Sequence, residues 1–217
     1  SLWTLLFLAS QILRKDMERV LGEQQFSTVS IVADQINREF ELRLNALSKV
    51  TAMVTPLMQD SRALQAFLEN RPELLSLFNG GLIAHRPDCT AIADFPVIGR
   101  VGVSYTDRDS VVAAINEGKS SISRPAIGKR LLAPSFLITV PVRDAQDKVI
   151  GALSGVVNLG QSNFLDQITG NRYGKNGGYL LVAPQHRLVV TATDKRRIME
   201  VFSDPGVNPV LDRIMGD

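Results

Sequence analysis

The sequence is organised around two stretches rich in β-branched residues, Phe136-Leu-Ile-Thr-Val-Pro-Val142 and Val149-Ile-Gly-Ala-Leu-Ser-Gly-Val-Val157. The polar segment between them, Asp144-Ala-Gln-Asp147, suits the loop of a hairpin. Together the three segments predict a long antiparallel hairpin. Residues 80–160 are therefore predicted to form short strands around one helix.

That one helix is predicted over Asp107–Glu117. Asp107 or Asp109 is placed to cap its N-terminus, and Gly118 is placed to end it, because glycine readily adopts the left-handed conformation of a helix end. A proline turn joins the first two strands of the region. The shorter predicted strands are Leu82–His85, Thr90–Ala93 and Ser120–Ser123.

A long helix is predicted before the sheet, because residues 11–69 contain only Gly22 and Pro56 as helix breakers. Apolar residues recur every three or four positions, which is helical periodicity with one buried stripe. The helix either pairs with a copy of itself or supports the segments C-terminal to it, and Pro56 bends or ends it. A second helix is predicted over Ser61–Glu69. The stripe comprises Val29, Val32, Ile36, Phe40, Leu44, Leu47, Val50 and Val54, and the polar face comprises Asp34, Arg38, Glu41, Arg43 and Lys49.

The pattern of strand, proline turn and strand occurs twice. Residues Gly178–Val190 align with Gly81–Ala93, and Pro209–Met215 repeats the short helix that precedes Gly118. The second copy stops where the first goes on to form its last strands, which would leave a sheet edge unpaired. We therefore expect the native protein to continue past Asp217.

Composition narrows the possible classes of protein. The chain has 217 residues, of which 45% are hydrophobic and 21% charged, so it has enough apolar material for a core. Its net charge of +2 and its one short basic run, Lys195-Arg196-Arg197, argue against nucleic-acid binding. The single cysteine, Cys89, permits no intrachain disulfide and is interpreted as a small residue in a strand.

An apolar run, Leu2-Trp-Thr-Leu-Leu-Phe-Leu-Ala9, lies near the start of the sequence. It is too short to span a bilayer, and no basic region precedes it. It is either the trailing end of a transmembrane helix or a soluble helix end that packs on a core. We favour the first interpretation, because the run leads directly into the long helix and Trp3 suits a membrane interface.

Taken in order, these segments resemble the double Cache (dCache) sensor domains of bacterial transmembrane receptors, and the resemblance covers nearly the whole chain. No one segment is as specific as a metal-ligand signature, but their order is distinctive. The most distinctive is the linker Gly174-Lys-Asn-Gly-Gly-Tyr-Leu-Leu-Val182. The others are Gln24-Gln-Phe-Ser27, Arg43-Leu-Asn-Ala-Leu47, Gly102-Val-Ser-Tyr-Thr-Asp-Arg-Asp109, Gly118-Lys119, Ile122-Ser-Arg-Pro125, Ile138-Thr-Val-Pro-Val142 and Gly151-Ala-Leu-Ser-Gly-Val156.

The resemblance implies an α+β fold, with a long N-terminal helix that carries two tandem PAS-like modules with antiparallel sheets, the second of them incomplete in this chain. Its parts would be the end of a transmembrane helix at 1–10, the long helix and the following helix at 11–71, a membrane-distal, ligand-binding Cache module at 72–160, a linker at 161–176 and part of a membrane-proximal module at 177–217.

The resemblance also implies a function. Such a domain senses a small molecule in the periplasm for a receptor of the inner membrane. The receptor's cytoplasmic output would be a diguanylate cyclase or phosphodiesterase, a histidine kinase, or a chemotaxis signalling domain. The implied partners are a small-molecule ligand, a second copy bound through the long helix, and the membrane. No cofactor, metal or nucleic acid is implied.

Arg108 is the leading candidate for ligand binding, because its planar guanidinium can hold a carboxylate through two parallel hydrogen bonds. The alternative for Arg108 is a surface arginine paired with a nearby acid. The amino-acid-binding subgroup has aromatic residues just after this arginine, whereas this chain has Asp109 and Ser110. An amino acid is therefore not implied as the ligand, whereas Arg108 is still compatible with an organic anion, and an empty, structural domain is the alternative. The full set of candidate binding residues is Tyr105, Arg108, Ser123, Lys129, Arg130, Ser135 and Asn158.

Two other functions compete with ligand sensing. An enzyme is disfavoured, because the sequence has no phosphate-cradling glycine loop and no evident cluster of serine, histidine and acid. His85 and His186 lie at corresponding places near the turns, and His186 falls inside a turn, which indicates a surface position. The second alternative is a dimerisation or interaction module whose distal pocket is filled by side chains.

Overall fold

The computed structural model describes residues 30–169, 178, 180–183, 186–209 and 212. The chain divides into two compact units, Ser1–Phe40 and Glu41–Asp217. The first unit is described over residues 30–40, which are helical. The predicted transmembrane end at 1–10, much of the linker at 161–176 and most of the helix Pro209–Met215 lie outside the described residues. Among the described residues, no helix has both the length and the apolar character that crossing a bilayer requires.

The helical region confirms the predicted periodicity and breakpoints. Helix α1 covers residues 30–54 and ends, as Pro56 predicts, in a 3-10 turn over Thr55–Leu57. Helix α2 covers Ser61–Glu69, as predicted, and begins where the Asp60 carboxylate accepts two backbone N–H groups.

One residue of the predicted polar face of α1 is buried. The Arg43 side chain is 4% exposed, its Nε donates to the carbonyl of Leu77 at 3.1 Å, and its guanidinium lies 3.6 Å from the centre of the Phe164 ring. A helical wheel does not anticipate such contacts, because the partners come from distant parts of the chain. The placement of Arg43 on the solvent side was therefore wrong.

The main sheet is antiparallel and has six strands: β1 Gly81–His85, β2 Ala91–Phe95, β3 Ser121–Ile122, β4 Ala126–Ile127, β5 Pro134–Arg143 and β6 Val149–Asn158. Their order in the sheet is β2-β1-β6-β5-β3, with β4 paired to one end of β5. The predicted long hairpin is its centre, since β5 and β6 pair along their whole length. The strand β4 was not predicted, because two residues are too short to give a periodic signal.

The two faces of this sheet bury different kinds of side chain. Residues alternate between the faces of a strand, so Ile83 and His85 share one face, and Leu82 and Ala84 share the other. All four are buried. On the second face Phe78 packs so closely on β6 that a methyl group at Gly155 would overlap its ring. The first face, which carries Ile83 and His85, also carries the candidate site.

The predicted short helix is present but shorter. Helix α3 covers Asp109–Val112, continues as a π-helical turn over Ala113–Glu117 and ends at Gly118 with φ +64°, as expected. Neither Asp107 nor Asp109 occupies the N-cap, which was a wrong expectation. Arg108 does, with extended backbone and no side-chain cap. Asp107 instead pairs with Lys129.

A second antiparallel pair follows the main sheet. Helix α4, Phe164–Thr169, leads to β7 Leu180–Ala183 and β8 Leu188–Ala192. The order of strand, turn and strand seen in β1 and β2 thus occurs again. The predicted incomplete second module is compatible with this two-stranded sheet.

Cys89 does not lie in a strand, which corrects the interpretation of this residue. It lies in the turn between β1 and β2 with φ +64° and is 5% exposed. Burial raises the pKa of its thiol. Its side chain packs in a cluster with Ile83, Tyr105, Leu137 and Val156. This apolar cluster surrounds the candidate site.

Candidate ligand-binding site

A cavity lies on the first face of the main sheet, beside the apolar cluster. The strands β1, β5 and β6 form its base. The connection between β2 and α3 forms one side, and residues 128–131 cover it. We call residues 128–133 the lid turn. They form a tight turn through two backbone hydrogen bonds, one from the Gly128 N–H to the Ala133 carbonyl and one from the Leu132 N–H to the Gly128 carbonyl. The lining residues are Ile83, Arg100, Tyr105, Arg108, Gly128, Lys129, Arg130, Leu131, Ser135, Leu137 and Val156.

The cavity is small, with a volume of about 20 Å³. That is room for about one water molecule. The lid turn covers part of it and is held there by Lys129, whose Nζ donates to the carbonyl of Ser104 at 2.6 Å and lies 2.7 Å from Asp107 Oδ1. A molecule of the size of an amino acid therefore fits wholly inside this volume only if the lid turn moves outward.

Arg108 lines the cavity at the N-cap of α3. Its side chain is 8% exposed, and its Nη2 donates to the carbonyl of Ile127 in β4 at 2.7 Å. The nearest carboxylate oxygen is that of Asp107, 3.9 Å from Nε. A guanidinium has five N–H donors. Arg108 thus keeps donors beyond the one that holds β4.

Tyr105 and Lys129 lie together at one side of the cavity. Lys129 Nζ is 5.5 Å from the centre of the Tyr105 ring, a cation–π distance. Tyr105 is 4% exposed, and burial raises the pKa of its hydroxyl. Burial also acts to raise the pKa of Asp107, but the hydrogen bond and charge of Lys129 outweigh it, so the pKa lies below its usual value.

Arg100 is a lining residue that sequence reasoning missed. It is 2% exposed, and its Nη2 donates to the carbonyl of Gly80 at 2.6 Å. Its Nη1 has no hydrogen-bond partner among the described residues. Burial lowers its pKa, while the charge of Asp94 acts in the opposite direction. No periodic pattern covers the loop that holds Arg100, so the sequence offers no signal for it.

The remaining candidate residues divide into two groups. Arg130 and Ser135 line the cavity, as do Tyr105, Arg108 and Lys129. Ser123 and Asn158 lie outside the lining. The Ser123 hydroxyl accepts from the Leu137 backbone and donates to the Arg124 carbonyl. Asn158 is held by its backbone to the Asn79 side chain, and its own Oδ1 accepts from the Gly160 N–H.

A second polar feature lies on the same face, next to the cavity. Four buried side chains, which we call the polar row, connect α3, β5, β6 and β1: Ser110, Thr139, Ser154 and His85. Successive members are 3.0, 2.9 and 2.9 Å apart between their polar atoms. The His85 ring then meets the edge of Tyr105 at 5.1 Å between centres. Burial lowers the pKa of His85 to about 3, and the Cys89 backbone opposes that shift only in part.

The charges around the cavity have one sign. The lining contains Arg100, Arg108, Lys129 and Arg130, and none of the lining residues in the described part of the chain is Asp or Glu. The same described part contains no cluster of side chains suited to a metal ion. The cavity therefore offers hydrogen-bond donors and positive charge to an anion.

Solved structures resemble the fold of this chain over most of its length. The sensor domain of the histidine kinase DctB from V. cholerae matches with a TM-score of 0.67 at 14% identity, over 89% of this chain and 74% of that one. The ligand-binding domain of Mlp24 with asparagine matches with a TM-score of 0.65 at 20% identity, over 85% and 78%. The ligand-binding domain of the Pseudomonas fluorescens chemoreceptor CtaA with L-serine matches with a TM-score of 0.66 at 18% identity, over 87% of this chain and 77% of that one.

The chain has the fold of the Cache-type sensor domains. This confirms the fold that the resemblance in sequence implied. Identities of 14–20% are too low for more than the fold. No protein-family model and no curated protein matches the chain. A shared fold does not identify a ligand, so the ligand of this chain has to be inferred from its own cavity.

Proposed function

We propose that this chain is the extracytoplasmic sensing domain of a membrane-bound signal-transduction receptor, and that its cavity binds a small organic anion. In this proposal residues 72–160 are the membrane-distal, ligand-binding module and residues 177–217 belong to a membrane-proximal module. Residues 1–10 end a transmembrane helix of the inner membrane. The long N-terminal helix pairs with a second copy, and the fragment itself is not catalytic.

The observation that carries the proposal is the composition of the cavity lining. Four cationic side chains and no carboxylate line it in the described part of the chain, and Arg108 retains unused donors of a planar fork. Arg100 and Arg108 are the two buried members of this set, and a buried guanidinium with unused donors is costly, so a carboxylate would be stabilised here more than in water. Three of the similar structures are described with asparagine, L-serine or GABA, each of which carries a carboxylate.

Ligand entry must move the lid turn, because the cavity has room for about one water molecule. The contacts of Lys129 with Ser104 and Asp107 hold the turn in its present position and would have to adjust as it moves. An anion would thus favour a rearranged lid turn over the closed one. Such a differential affinity for two states is what a sensor needs to transmit a signal.

The same small volume favours a second candidate function. A cavity that never opens would belong to a dimerisation or interaction module that has no ligand. The two candidates differ in whether small carboxylates stabilise the folded chain. A molecule that binds only the folded state raises the unfolding temperature, by about 5–10 °C for a chain of this size when its concentration is about a hundred times Kd.

The test measures the unfolding temperature of the 217-residue chain against a panel of small mono- and dicarboxylates and amino acids. We expect at least one carboxylate to raise it. Arg108→Ala should weaken that ligand at least about tenfold, because a charge-assisted pair is lost, with the unliganded protein still folded. The matched control is Arg86→Ala, an exposed arginine in the turn between β1 and β2, which should leave binding unchanged.

Two results would contradict the proposal. If no carboxylate raises the unfolding temperature, the interaction module is the better description. If a carboxylate does so equally in wild type and Arg108→Ala, the ligand binds elsewhere.

A further inference from the structure

Arg100 has no role in the proposed function so far, yet it is the most deeply buried cation of the cavity. It is 2% exposed and uses Nη2 to hold the Gly80 carbonyl. Its Nη1 has no hydrogen-bond partner in the described part of the chain. A buried guanidinium with an unused donor is costly unless something else occupies that donor. The sheet itself gains nothing from leaving Nη1 unpaired.

The carboxylates near the cavity do not neutralise its cations. Asp94 Oδ2 accepts from the backbone N–H groups of Ile98 at 3.0 Å and of Arg100 at 3.2 Å, and Asp94 Oδ1 is buried without a hydrogen-bond partner among the described residues. Asp94 thus lies near Arg100 and its charge favours the charged guanidinium, but it does not bond to Arg100 Nη1. Asp107 is engaged by Lys129. Two carboxylates near four lining cations leave an excess of two positive charges.

We propose that the cavity binds a small dianion that carries no ammonium group, and that Arg100 holds the second anionic group while Arg108 holds the first. This inference rests on the proposed function and names its ligand class. An α-amino group would need a carboxylate beside it, and no lining residue in the described structure supplies one. The ligand class therefore differs from asparagine, serine and GABA, which accompany the similar structures.

The experiment compares four probes by calorimetric titration of the whole 217-residue chain at constant ionic strength: succinate, aspartate, propionate and inorganic phosphate. Succinate and aspartate differ by one ammonium group, and succinate and propionate by one carboxylate. We expect succinate, phosphate or both to bind at least about tenfold more tightly than propionate and aspartate, the effect of one charge-assisted pair. A preference for phosphate over succinate would still support a dianion and would identify its chemistry.

Variants of Arg100 test its role. Arg100→Met should bring succinate and propionate to within about threefold of each other, because the second anionic group loses its partner. Arg100→Lys keeps the charge but not the planar fork, so it should reduce the preference less. If Arg100→Met does not fold, Arg100→Lys decides, since an undiminished preference in it would remove Arg100 from the site. The control is Arg86→Met, which should preserve the ranking.

The failure of this inference can be told apart from the failure of the proposed function. If aspartate or propionate binds as tightly as succinate and phosphate, the dianion is wrong, while Arg108-dependent binding of a carboxylate would still stand. If none of these anions and no other carboxylate binds, the sensing function itself is wrong.

Discussion

The polar row and the cationic cavity lie side by side on one face of the same sheet, and both bury polar side chains. In the polar row each hydroxyl has a partner within the row, and Nδ1 of His85 is the one polar side-chain atom of the row that has no hydrogen-bond partner among the described residues. In the cavity Arg100 keeps a donor without a partner among the described residues, and Arg108 keeps donors beyond the one to Ile127. The contrast separates polar groups that support the fold from polar groups that are available to a ligand.

The difference has a chemical origin. A hydroxyl both donates and accepts, so a row of hydroxyls that ends at a neutral imidazole can satisfy itself. A guanidinium only donates, so several of them cannot satisfy one another. Substitutions in the polar row should therefore lower stability and leave binding unchanged, whereas substitutions in the cavity should do the reverse. A pH series and three sets of variants test that division.

Acid should weaken the polar row through His85. Its pKa is lowered to about 3 in the folded chain, from 6.5 in a model peptide. The unfolded chain therefore takes up a proton first, and the stability due to neutral His85 is full above about pH 6.5 and falls as the pH drops toward 3. Between about pH 7 and pH 5 this group alone should cost about 2 kcal/mol. Denaturant unfolding at several pH values measures that loss.

Two histidine variants separate this effect from the titration of carboxylates. His85→Gln cannot take up a proton, so its stability should fall less steeply over that range. His186→Gln is the matched control, because His186 is exposed and its loss should leave the slope unchanged. Equal slopes in wild type and His85→Gln would mean that the polar row does not depend on a neutral imidazole.

Thr139→Val should break the polar row at its centre. The valine keeps the shape of threonine, but Ser110 and Ser154 each lose a partner while fully buried. We expect a loss of about 1–3 kcal/mol in the free energy of unfolding, with little change in ligand affinity. The same substitution at the exposed Thr106 should change stability by less than about 0.5 kcal/mol. A weakened ligand with unchanged stability in Thr139→Val would reverse the proposed division.

Lys129→Met should have the smallest effect on stability. The Lys129 side chain is 33% exposed, so its ion pair with Asp107 is partly screened and should contribute less than about 1 kcal/mol. Because the lid turn loses its bonds to Ser104 and Asp107, we expect faster association of a bound anion, measured by stopped-flow mixing. Arg130→Met, a neighbouring exposed cation, is the control for loss of charge alone. Slower association in Lys129→Met than in Arg130→Met would show that Lys129 does not hold the turn closed.

Much of the fold could be predicted from local sequence. The hairpin of β5 and β6, the bounds of α2 and the end of α3 at Gly118 all follow from β-branched runs, a capping aspartate and a glycine. Each of these signals acts within a few residues of the element that it defines. The short strand β4 was not predicted, because two residues give no periodic signal, and the N-cap of α3 was assigned to Asp107 or Asp109 although Arg108 occupies it.

The candidate site was predicted less completely. Tyr105 and Arg108 were named because their segment resembles a known family, and both line the cavity, while their binding of a ligand stays a prediction. Ser123 and Asn158 were named by proximity along the chain, but their side chains bond to the backbone instead. Arg100 was missed, since nothing local distinguishes a buried arginine from an exposed one.

The sequence by itself therefore determined the α+β class, the order of the helices and strands and the segment that carries Arg108, since periodicity, capping and turn chemistry are local properties of the chain. Only the tertiary structure decided which cations line one cavity and which hydroxyls hydrogen-bond to one another. It also decided that Arg43 and His85 are buried. Burial and hydrogen bonding depend on side chains that the fold brings together from distant positions, such as His85 and Ser154, and no local sequence pattern predicts those contacts.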